Sequence, residues 1–302
     1  MKRRKMKQVL IVGSGDVARR IIPWLARRFR VCAVVRRPEE RAALRALGAT
    51  PLVADLDQPD SLLRLSGIAD YVLHCAPPPA TGQGDPRTAR LLAALVHRGS
   101  LPRRLVYIST TGVYGDCGGA WLDETRSPRP TSARGARRVA AEQQLRRFGR
   151  RTGCRVSLLR APGIYDTAER LPLARLHKGE PVLRPEDDVF TNHIHADDLA
   201  RLLAIGLFRG RPGRAYNACD DSQLRMGDYF DLVADTCGLP RPPRLSRAEL
   251  AQQVSPMTLS FMSESRRIGN ARIKNELRAR LLYPTVAHAL AARGETASRT
   301  FP

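Results

Sequence analysis

A short run of small residues near the start of the chain could bind a phosphate group. Gly13, Gly15 and Ala18 form the pattern G-x-G-x-x-A. The first glycine permits a tight turn, the second lets the backbone approach a pyrophosphate, and the alanine lets a helix pack closely on a strand. The N–H groups at the start of that helix would face the phosphates. The pattern predicts a dinucleotide-binding loop made of Gly13, Ser14, Gly15, Asp16, Val17 and Ala18.

The residues after the second predicted strand bear on the type of dinucleotide. An Asp or Glu there would accept a hydrogen bond from the ribose 2′-hydroxyl of NAD, whereas this chain has Arg36 and Arg37. A guanidinium can pair with a 2′-phosphate through two parallel hydrogen bonds. We therefore expect NADP or NAD as the cofactor, with NADP favoured. The alternative is that both arginines are solvated side chains of an arginine-rich chain.

Strand-like and helix-like segments alternate around this loop. Short apolar runs predict buried strands, and apolar residues three and four apart predict amphipathic helices. The predicted strands are 8–12, 31–35, 51–55, 71–75, 104–109 and 155–159, and the predicted helices are 16–28, 39–47, 86–97 and 132–152. This order predicts an α/β Rossmann fold, a doubly wound parallel sheet with helices on both faces.

The pattern loosens after Pro162. Helices are predicted at 196–208 and 226–237 and a strand at 215–217, and Asp197 or Asp198 is expected to cap the first of these helices. We expect residues 1–160 to form the nucleotide-binding core. Residues 161–302 would complete the sheet and form a small C-terminal substrate-binding lobe, so that the chain is one integrated domain.

The formal net charge of +22 raises the question of nucleic-acid binding. The positive residues are almost all arginines spread along the whole chain, only 5% of residues are aromatic, and no helix-turn-helix or zinc-finger spacing occurs. We therefore expect no specific nucleic-acid partner.

Six cysteines without a C-x-x-C pair predict no metal site. Without a signal peptide or an apolar run of about 18 residues, we expect a cytoplasmic protein and no membrane association.

Further motifs follow the loop in a fixed order. They are Asp55-Leu56, Ala76-Pro77-Pro78, Ser109-Thr110-Thr111-Gly112-Val113-Tyr114-Gly115, Arg160-Ala161-Pro162-Gly163-Ile164-Tyr165 and His193-Ile194-His195-Ala196-Asp197-Asp198. With these motifs the chain resembles the extended and atypical short-chain dehydrogenase/reductases, often described as NAD-dependent epimerase/dehydratase proteins. The resemblance covers nearly the whole chain.

The resemblance implies roles for individual residues. The first motif would contact the adenine, the second would pass over the cofactor, and the Pro-Gly pair of the fourth would lie beside the nicotinamide. The implied cofactor contacts are Asp55, Leu56, Ala76, Pro77, Pro78, Pro162 and Gly163. Thr110 matches the family's catalytic Ser or Thr and would orient a substrate oxygen. The alternative is a strand-end threonine bonded to local backbone.

The chain departs from the family at the chemical centre. The family carries Y-x-x-x-K on the helix after the fifth strand, and the matching positions here hold Arg134 and Arg138. Arg138 could still hydrogen-bond the ribose hydroxyls, so it is a candidate for both catalysis and cofactor binding. Arg134 cannot replace the tyrosine, because a guanidinium stays protonated and cannot cycle a proton. Arg134 instead suits the binding of an anionic substrate.

Another side chain must handle the proton in any hydride transfer. Tyr114 and Tyr165 are the candidate phenols, since nearby cations would lower a phenol's pKa. His193 and His195 are the titratable alternatives, and they share a face if their segment is extended. His193 lies farther from the next helix and is the candidate for substrate binding. For each of the four, packing or structural hydrogen bonding is the alternative.

These features favour an NAD(P)-dependent oxidoreductase or epimerase-like enzyme acting on a small hydroxy or carbonyl compound. The resemblance implies a sugar nucleotide as one such substrate. The alternative is a non-catalytic dinucleotide-binding module that senses the cofactor or binds a partner, which the missing tyrosine favours and the retained Thr110 disfavours. The family often forms dimers through the helix expected at 132–152, but the many arginines of this helix disfavour a homodimer of that kind.

Overall fold

The computed structural model describes residues 6–97, 99 and 101–294. Its strands in chain order are β1 (Gln8–Val12), β2 (Arg30–Val35), β3 (Thr50–Val53), β4 (Tyr71–His74), β5 (Arg104–Thr110), β6 (Trp121–Leu122), β7 (Arg155–Ala161), β8 (Gly163–Tyr165), β9 (Val182–Leu183), β10 (Phe190–Thr191), β11 (His193–His195), β12 (Arg214–Asn217), β13 (Leu224–Arg225), β14 (Arg244–Leu245) and β15 (Arg267–Ile268).

The α-helices lie between and after these strands. In chain order they are α1 (Asp16–Ala26), α2 (Arg41–Ala46), α3 (Pro86–Val96), α4 (Ala133–Thr152), α5 (Leu173–His177), α6 (Ala196–Arg209), α7 (Met226–Cys237), α8 (Arg247–Gln253), α9 (Pro256–Phe261), α10 (Ala271–Asn275) and α11 (Val286–Ala291). Short 3-10 segments occur at Pro38–Glu40, Pro59–Leu65, Thr111–Tyr114 and Ala292–Gly294.

A seven-stranded parallel sheet forms the centre of the fold. Its strand order is β12-β7-β5-β4-β1-β2-β3. One face packs against α1 and α6, and the other against α3 and α4. Because both faces are covered, the inner strands are mostly apolar, as in Val9–Val12. The predicted doubly wound α/β fold is therefore confirmed.

Local signals in the sequence set the ends of the longest helix, α4. The Ser132 side chain accepts a hydrogen bond from the backbone N–H of Gly135 and caps the first turn. The helix ends at Gly153, whose φ of 74° is a left-handed conformation that glycine adopts without strain. These two signals explain why the predicted helix over 132–152 agrees with the observed one to within a residue.

The cap of α6 differs from the prediction. The ring of His195, and neither neighbouring aspartate, accepts the backbone N–H of Asp197 at 3.2 Å. The Asp198 carboxylate instead accepts the backbone N–H groups of Leu282 and Tyr283, at 2.7 and 2.8 Å. The expected cap at Asp197 or Asp198 is therefore wrong, because a distant segment of the chain uses the Asp198 oxygens.

The part of the chain after residue 160 contributes to the central sheet and also forms a smaller lobe. β12 pairs with β7 at the edge of the sheet. The lobe contains the short pairs β8–β11, β9–β14 and β10–β13 and a separate apolar cluster around α7 and α11. The predicted division of the chain at residue 160 stays a prediction. Residues 1–5, 98 and 100 of the first part and residues 295–302 of the second lie outside the described residues.

Within the described ranges, no helix has the length and apolarity needed to cross a bilayer.

The strand order reverses direction at one point in the sheet. From β1 the chain proceeds outward to β2 and β3, and then returns to place β4 on the other side of β1. A crevice forms outside the carboxyl ends of the strands at such a switch point, and ligands bind there. The glycine-containing turn after β1 and the segment after β4 form the two sides of this crevice.

A buried ion pair lies under the carboxyl ends of β5, β7 and β12. Glu142 of α4 is 0% exposed and accepts two hydrogen bonds from Arg160, at 3.0 and 2.7 Å, and one from Ser109 at 2.7 Å. Arg160 also donates to the Tyr114 hydroxyl, which donates to Asn217. Burial alone would raise the pKa of the Glu142 carboxyl, but Arg160 holds that pKa below its usual range.

Removal of the buried carboxylate should destabilise the fold strongly. Glu142→Leu leaves the Arg160 guanidinium buried without a counter-charge, which typically costs about 3–5 kcal/mol. Gln143→Leu, at the next and exposed position of α4, is the control and should change the free energy of unfolding by about 0.5 kcal/mol or less. Urea unfolding followed by circular dichroism measures both values. Equal effects of the two substitutions would contradict a structural role for the ion pair.

Candidate functional site

The turn between β1 and α1 brings the backbone close to the segment after β4. Gly13 has a φ of 93°, a conformation that strongly favours glycine. A Cβ atom at this position would lie 2.3 Å from the backbone nitrogen of Ala76, which leaves no room for any side chain. Ala76 in turn donates its N–H to the carbonyl of Val12 at 3.0 Å. The first glycine of the predicted loop is therefore required by the close approach of the two segments.

Gly15 meets a different requirement. Its φ of −76° suits any residue, and a Cβ atom built on it would meet no described atom within 4 Å. The structure shows no side-chain cap on the N-terminus of α1, which begins at the next residue. Uncapped N–H groups that face open space at the start of a helix bind anions. The residues of this turn therefore fit the pyrophosphate of a dinucleotide.

The side chains of Ser14, Val17 and Ala18 do not face this open space. The Ser14 hydroxyl donates to the carbonyl of Val34 at 2.7 Å. Val17 and Ala18 are buried in the core against the sheet. These three predicted cofactor-binding residues can contact phosphates only through their backbone, as the motif requires.

Asp16 places a negative charge at the start of α1, where phosphates would bind. Arg20 contacts its carboxylate at 2.9 Å and Arg170 at 3.2 Å. Arg20 also contacts Asp166 at 3.0 Å and Asp197 at 2.8 Å. The two arginines offset the Asp16 charge that would otherwise repel an anion. The predicted role of Asp16 thus falls on its backbone N–H.

The two arginines after β2 differ in their surroundings. Arg37 contacts Glu40 at 2.9 Å, and Arg19 of α1 contacts the same carboxylate at 2.7 Å. Arg36 is exposed, and its charge helps to lower the pKa of Asp57, although Arg87 is the main cause. A 2′-phosphate would therefore compete with Glu40 for Arg37 but not for Arg36. The predicted preference for NADP stays a prediction.

The two segments expected to contact the adenine and pass over the cofactor are joined by an arginine that the sequence analysis did not identify. The Arg87 side chain contacts Asp57 at 2.5 Å and donates to the carbonyl of Pro77 at 3.3 Å. Asp55 accepts the backbone N–H of Asp57 at 2.9 Å, and Leu56 is buried. Arg87 therefore joins the segment after β3 to the segment after β4. The cofactor contacts expected of both segments, including Pro78, stay predictions.

A cleft of about 470 Å³ opens at the carboxyl edge of the sheet, next to the start of α4. Five residues predicted as site residues line it together: Thr110, Arg134, Pro162, Gly163 and His193. They come from β5, α4, the β7–β8 connection, β8 and β11, which are far apart in sequence. In the described part of the chain, no three His, Cys, Asp or Glu side chains are grouped so that they could hold a metal ion.

Thr110 and Arg138 lie near each other along β5 and α4. The Thr110 hydroxyl accepts the backbone N–H of Gly112 at 3.2 Å, so the local bonding considered in the sequence analysis is present. A hydroxyl that accepts one hydrogen bond can still donate another. Arg138 donates to the Tyr107 hydroxyl at 2.9 Å and to the carbonyl of Ile108 at 2.6 Å. The roles of Thr110 at a substrate oxygen and of Arg138 at the ribose stay predictions.

The two candidate phenols are buried behind the cleft and do not line it. Tyr114 is 1% exposed and bonded to Arg160 and Asn217, and burial raises its pKa to about 12. Tyr165 is also 1% exposed, and burial raises its pKa further. A phenol that does not line the cleft cannot exchange a proton directly with a substrate held there. The expected catalytic roles of Tyr114 and Tyr165 are therefore corrected, and both side chains are structural.

The two histidines of β11 share a face, as expected, but have different surroundings. β11 pairs with β8, and this register places His193 opposite Gly163 and His195 opposite Tyr165. His193 lines the cleft, and burial lowers its pKa to about 4. His195 packs against the ring of Tyr283 at 3.9 Å between centroids and caps α6.

Sequence analysis missed the far wall of the cleft, which Arg175, Tyr229, Glu264 and Arg266 help to form. Arg175 lies over the Phe230 ring at 4.6 Å, and Arg266 pairs with Glu264 at 2.6 Å. These residues lie on α5, α7 and the segment before β15. Periodicity predicted α7, but no local pattern indicates that its Tyr229 faces the carboxyl ends of β5 and β7, more than 60 residues earlier in the chain.

A carboxyl group without a complete set of partners lies behind His193. The backbone N–H of Asp220 donates to the carbonyl of His193 at 2.8 Å, and Asp220 Oδ1 accepts the N–H of Ser222 at 2.9 Å. Asp220 Oδ2 and the Tyr165 hydroxyl, which interact electrostatically, have no hydrogen-bond partner among the described residues. Burial raises the pKa of Asp220 to about 7.

The geometry agrees with comparison to known proteins. Residues 13–207 match the protein family described as NAD(P)H-binding. This match covers the glycine loop, five of the seven central strands and the carboxyl edge that forms the cleft. The chain belongs to the NAD(P)H-binding family.

Individual relatives extend the match to nearly the whole chain. A solved structure of a functionally unknown conserved protein from Silicibacter pomeroyi is 34% identical, with a TM-score of 0.79, over 96% of this chain and 100% of that one. GDP-6-deoxy-D-mannose reductase of Pseudomonas aeruginosa is 28% identical over 68% of this chain and 77% of its own. UDP-glucose 4-epimerase of Thermotoga maritima, solved with UDP-glucose, has a TM-score of 0.76 at 16% identity, over 95% of this chain and 97% of that one. The resemblance to epimerase/dehydratase-like short-chain dehydrogenases is confirmed.

Gly15 offers a direct test of the phosphate-binding loop. Gly15→Val should leave the melting temperature unchanged, because its φ is ordinary and the added atoms enter open space. The same atoms would occupy the space next to the helix N-terminus, so NADPH and NADH affinity should fall at least about 100-fold, or about 2.7 kcal/mol. Ala93→Val, on the exposed face of α3, is the control for added bulk. Calorimetric titration measures the affinities, and unchanged binding by Gly15→Val would contradict this site.

Asp220 should make stability depend on pH. Its folded pKa of about 7 lies above the ordinary value of 3.8, so the unfolded chain releases the proton first and stability falls as pH rises between these values. Asp220→Asn should therefore raise the free energy of unfolding at pH 8, by on the order of 2 kcal/mol, and leave it unchanged at pH 4. Urea unfolding at both pH values measures this, with the exposed Asp228→Asn as control. A pH-independent effect of Asp220→Asn would contradict the raised pKa.

Proposed function

We propose that the chain is an NAD(P)-dependent oxidoreductase or epimerase-like enzyme acting on a small hydroxy or carbonyl compound. The position of the cleft supports this most directly. Thr110 and Gly163 line it at the same carboxyl edge of the sheet where Gly13 and Gly15 form the nucleotide loop. A bound dinucleotide would supply or accept hydride at this edge. The cleft beside it has the volume for a small substrate.

The protein residues would hold and polarise the substrate. The Thr110 hydroxyl would donate a hydrogen bond to the reacting oxygen, and Arg138 would hold the nicotinamide ribose. Pro162 and Gly163 would form the wall beside the nicotinamide. Support for these roles comes from the order of β5, α4 and β8 around the cleft and from the short-chain dehydrogenase resemblance.

We further propose an anionic substrate, such as a sugar nucleotide. The cleft wall contains three guanidinium groups, those of Arg134, Arg175 and Arg266, but one carboxylate, that of Glu264, among its described residues. One Nη atom of Arg175 and the Nε atom of Arg266 are buried without a hydrogen-bond partner in the described part of the chain. Such groups favour a ligand that carries phosphate or carboxylate oxygens. The names of the reductase and epimerase relatives support a nucleoside diphosphate sugar.

NADP is the cofactor that we propose, through Arg36. Arg36→Ala should lower the affinity for NADPH about tenfold, which is the loss of about 1.4 kcal/mol, and leave NADH affinity unchanged. Arg37→Ala should have a smaller effect, because Glu40 already holds that guanidinium. The nearby and exposed Arg41→Ala removes the same charge and is the control. Calorimetric titration at moderate and high salt separates specific pairing from general attraction by a basic protein.

Turnover decides between the enzyme and the non-catalytic alternative. Reduction of small carbonyl compounds with NADPH, followed by absorbance, and conversion of UDP-glucose, followed by chromatography, test the two reaction types. Turnover of any probe supports the enzyme. Tight binding that distinguishes reduced from oxidised cofactor, with no turnover, would support a sensor. Binding of neither NADPH nor NADH would overturn the proposed use of the glycine loop.

A further inference from the structure

Hydride transfer at a carbonyl carbon requires a group that exchanges a proton with the oxygen. The inference that follows rests on the proposed function. Apart from guanidinium groups, the titratable side chains among the described cleft-lining residues are Glu264, Tyr229 and His193. Arginine is excluded because it stays protonated near neutral pH. One of the three remaining side chains must exchange the proton directly with a substrate held in this cleft.

Glu264 and Tyr229 are less suited than His193 to accept a proton from the substrate. The Glu264 carboxylate pairs with Arg266 at 2.6 Å and accepts a hydrogen bond from the Thr131 hydroxyl at 2.7 Å. These two contacts engage both of its carboxylate oxygens. Burial raises the pKa of the Tyr229 hydroxyl, which therefore stays protonated. The Glu264 oxygens are therefore already bonded, and the Tyr229 phenol is a poor acceptor of a proton.

His193 has a ring nitrogen with no assigned partner. Its side chain is 5% exposed, and its Nδ1 atom is buried without a hydrogen bond to any described residue. Buried polar atoms nearly always have a partner, and exceptions mark sites where water, a ligand or a reacting group completes the bonding. The ring also lines the cleft, so a substrate held there would lie beside the imidazole.

The backbone around His193 places the ring beside the expected nicotinamide wall. His193 lies opposite Gly163 in the β8–β11 pair. A Cβ atom at residue 163 would lie 3.7 Å from the Cδ2 atom of His193, so the absence of a side chain at Gly163 leaves room next to the ring. Thr110 pairs with Ala161, two residues before Gly163. The hydroxyl and the imidazole therefore approach the cleft from adjacent parts of one wall.

The groups packed around the ring keep it neutral and oriented. The Tyr229 ring of α7 stacks on it at 4.3 Å between centroids, and the Tyr165 ring of β8 approaches edge-on at 6.1 Å. Asp220 lies behind it, bonded through its backbone N–H to the His193 carbonyl. The imidazole is therefore held neutral and in one orientation beside the cleft.

We propose that His193 is the catalytic acid and base of the cleft, in the place that Arg134 cannot fill. In the oxidation direction, the hydroxyl proton of the substrate passes to a ring nitrogen of His193 and the O–H electron pair becomes the second bond of the carbonyl. The hydrogen on the carbinol carbon leaves with its electron pair as hydride, for which a bound oxidised nicotinamide would be the acceptor. Reduction follows the same path in reverse, and the imidazolium returns the proton to the oxygen.

Two carbonyl probes with different needs for a proton distinguish catalysis from structure. Diacetyl reduction gives a strongly basic alkoxide that requires a proton donor, whereas 9,10-phenanthrenequinone gives a stabilised phenolate that does not. With NADPH, His193→Gln should slow diacetyl reduction at least about 100-fold and change quinone reduction by less than about threefold. His288→Gln, at an exposed histidine of α11, is the control and should change neither rate.

The outcomes separate this inference from the proposed function. Equal losses on both probes, or no loss on either, in a folded His193→Gln protein that still binds NADPH would overturn the role of His193 and leave the proposed function standing. A wild-type protein that binds NADPH but reduces neither probe would overturn the proposed reaction and this role with it. The melting temperature and NADPH affinity of His193→Gln establish that the variant is folded.

A second readout does not depend on turnover. Diethyl pyrocarbonate acylates unprotonated and accessible imidazole nitrogens, and peptide mass spectrometry identifies the modified residue. His193 should be modified at neutral pH, whereas His74, which is 0% exposed with its Nε2 bonded to Thr88, should not. Bound NADPH together with UDP-glucose should protect His193. An unmodified His193 would show that no ring nitrogen is open to the cleft and would overturn the proposal.

Discussion

The ion pair between Glu142 and Arg160 is the interaction on which the geometry of the cleft depends. Removal of two charges from water costs several kcal/mol for each ion, so the pair is tolerable only if the surrounding groups satisfy its remaining hydrogen bonds. Ser109 and the Tyr114 hydroxyl supply these bonds. Ser109 directly precedes Thr110, and Arg160 lies two residues before Pro162. The ion pair therefore fixes the carboxyl ends of β5 and β7, from which the floor of the cleft is built.

The nucleotide crevice depends on a different constraint, the close approach of two backbone segments. Gly13 has no room for a Cβ atom against Ala76, whereas Gly15 faces open space. The same motif thus contains one glycine required by packing and one required by the space left for a ligand. Because the side chains of Ser14, Val17 and Ala18 are used inside the protein, the loop presents backbone N–H groups, which suit any pyrophosphate. Cofactor specificity must then come from the ends of β2 and β3.

Sequence periodicity was sufficient for the central sheet because each strand and helix there is a local pattern with a clear boundary. It was insufficient for the lobe, where strands of two or three residues carry no periodicity of their own. Motif matching located Tyr114 and Tyr165 correctly along the chain but could not show which way their hydroxyls point. Their burial follows from Arg160 and the lobe core, both long-range contacts. Arg175 was missed for the same reason.

Asp16 shows how the two halves of the molecule are coupled. A carboxylate at the start of a phosphate-binding helix opposes anion binding, and its effect is offset only because Arg20 and Arg170 contact it. Arg20 also contacts Asp166, which follows β8, and Asp197, in the first turn of α6. The charge at the nucleotide loop is therefore balanced by residues that belong to the walls of the C-terminal lobe. A displacement of that lobe would therefore alter the electrostatic field at the loop.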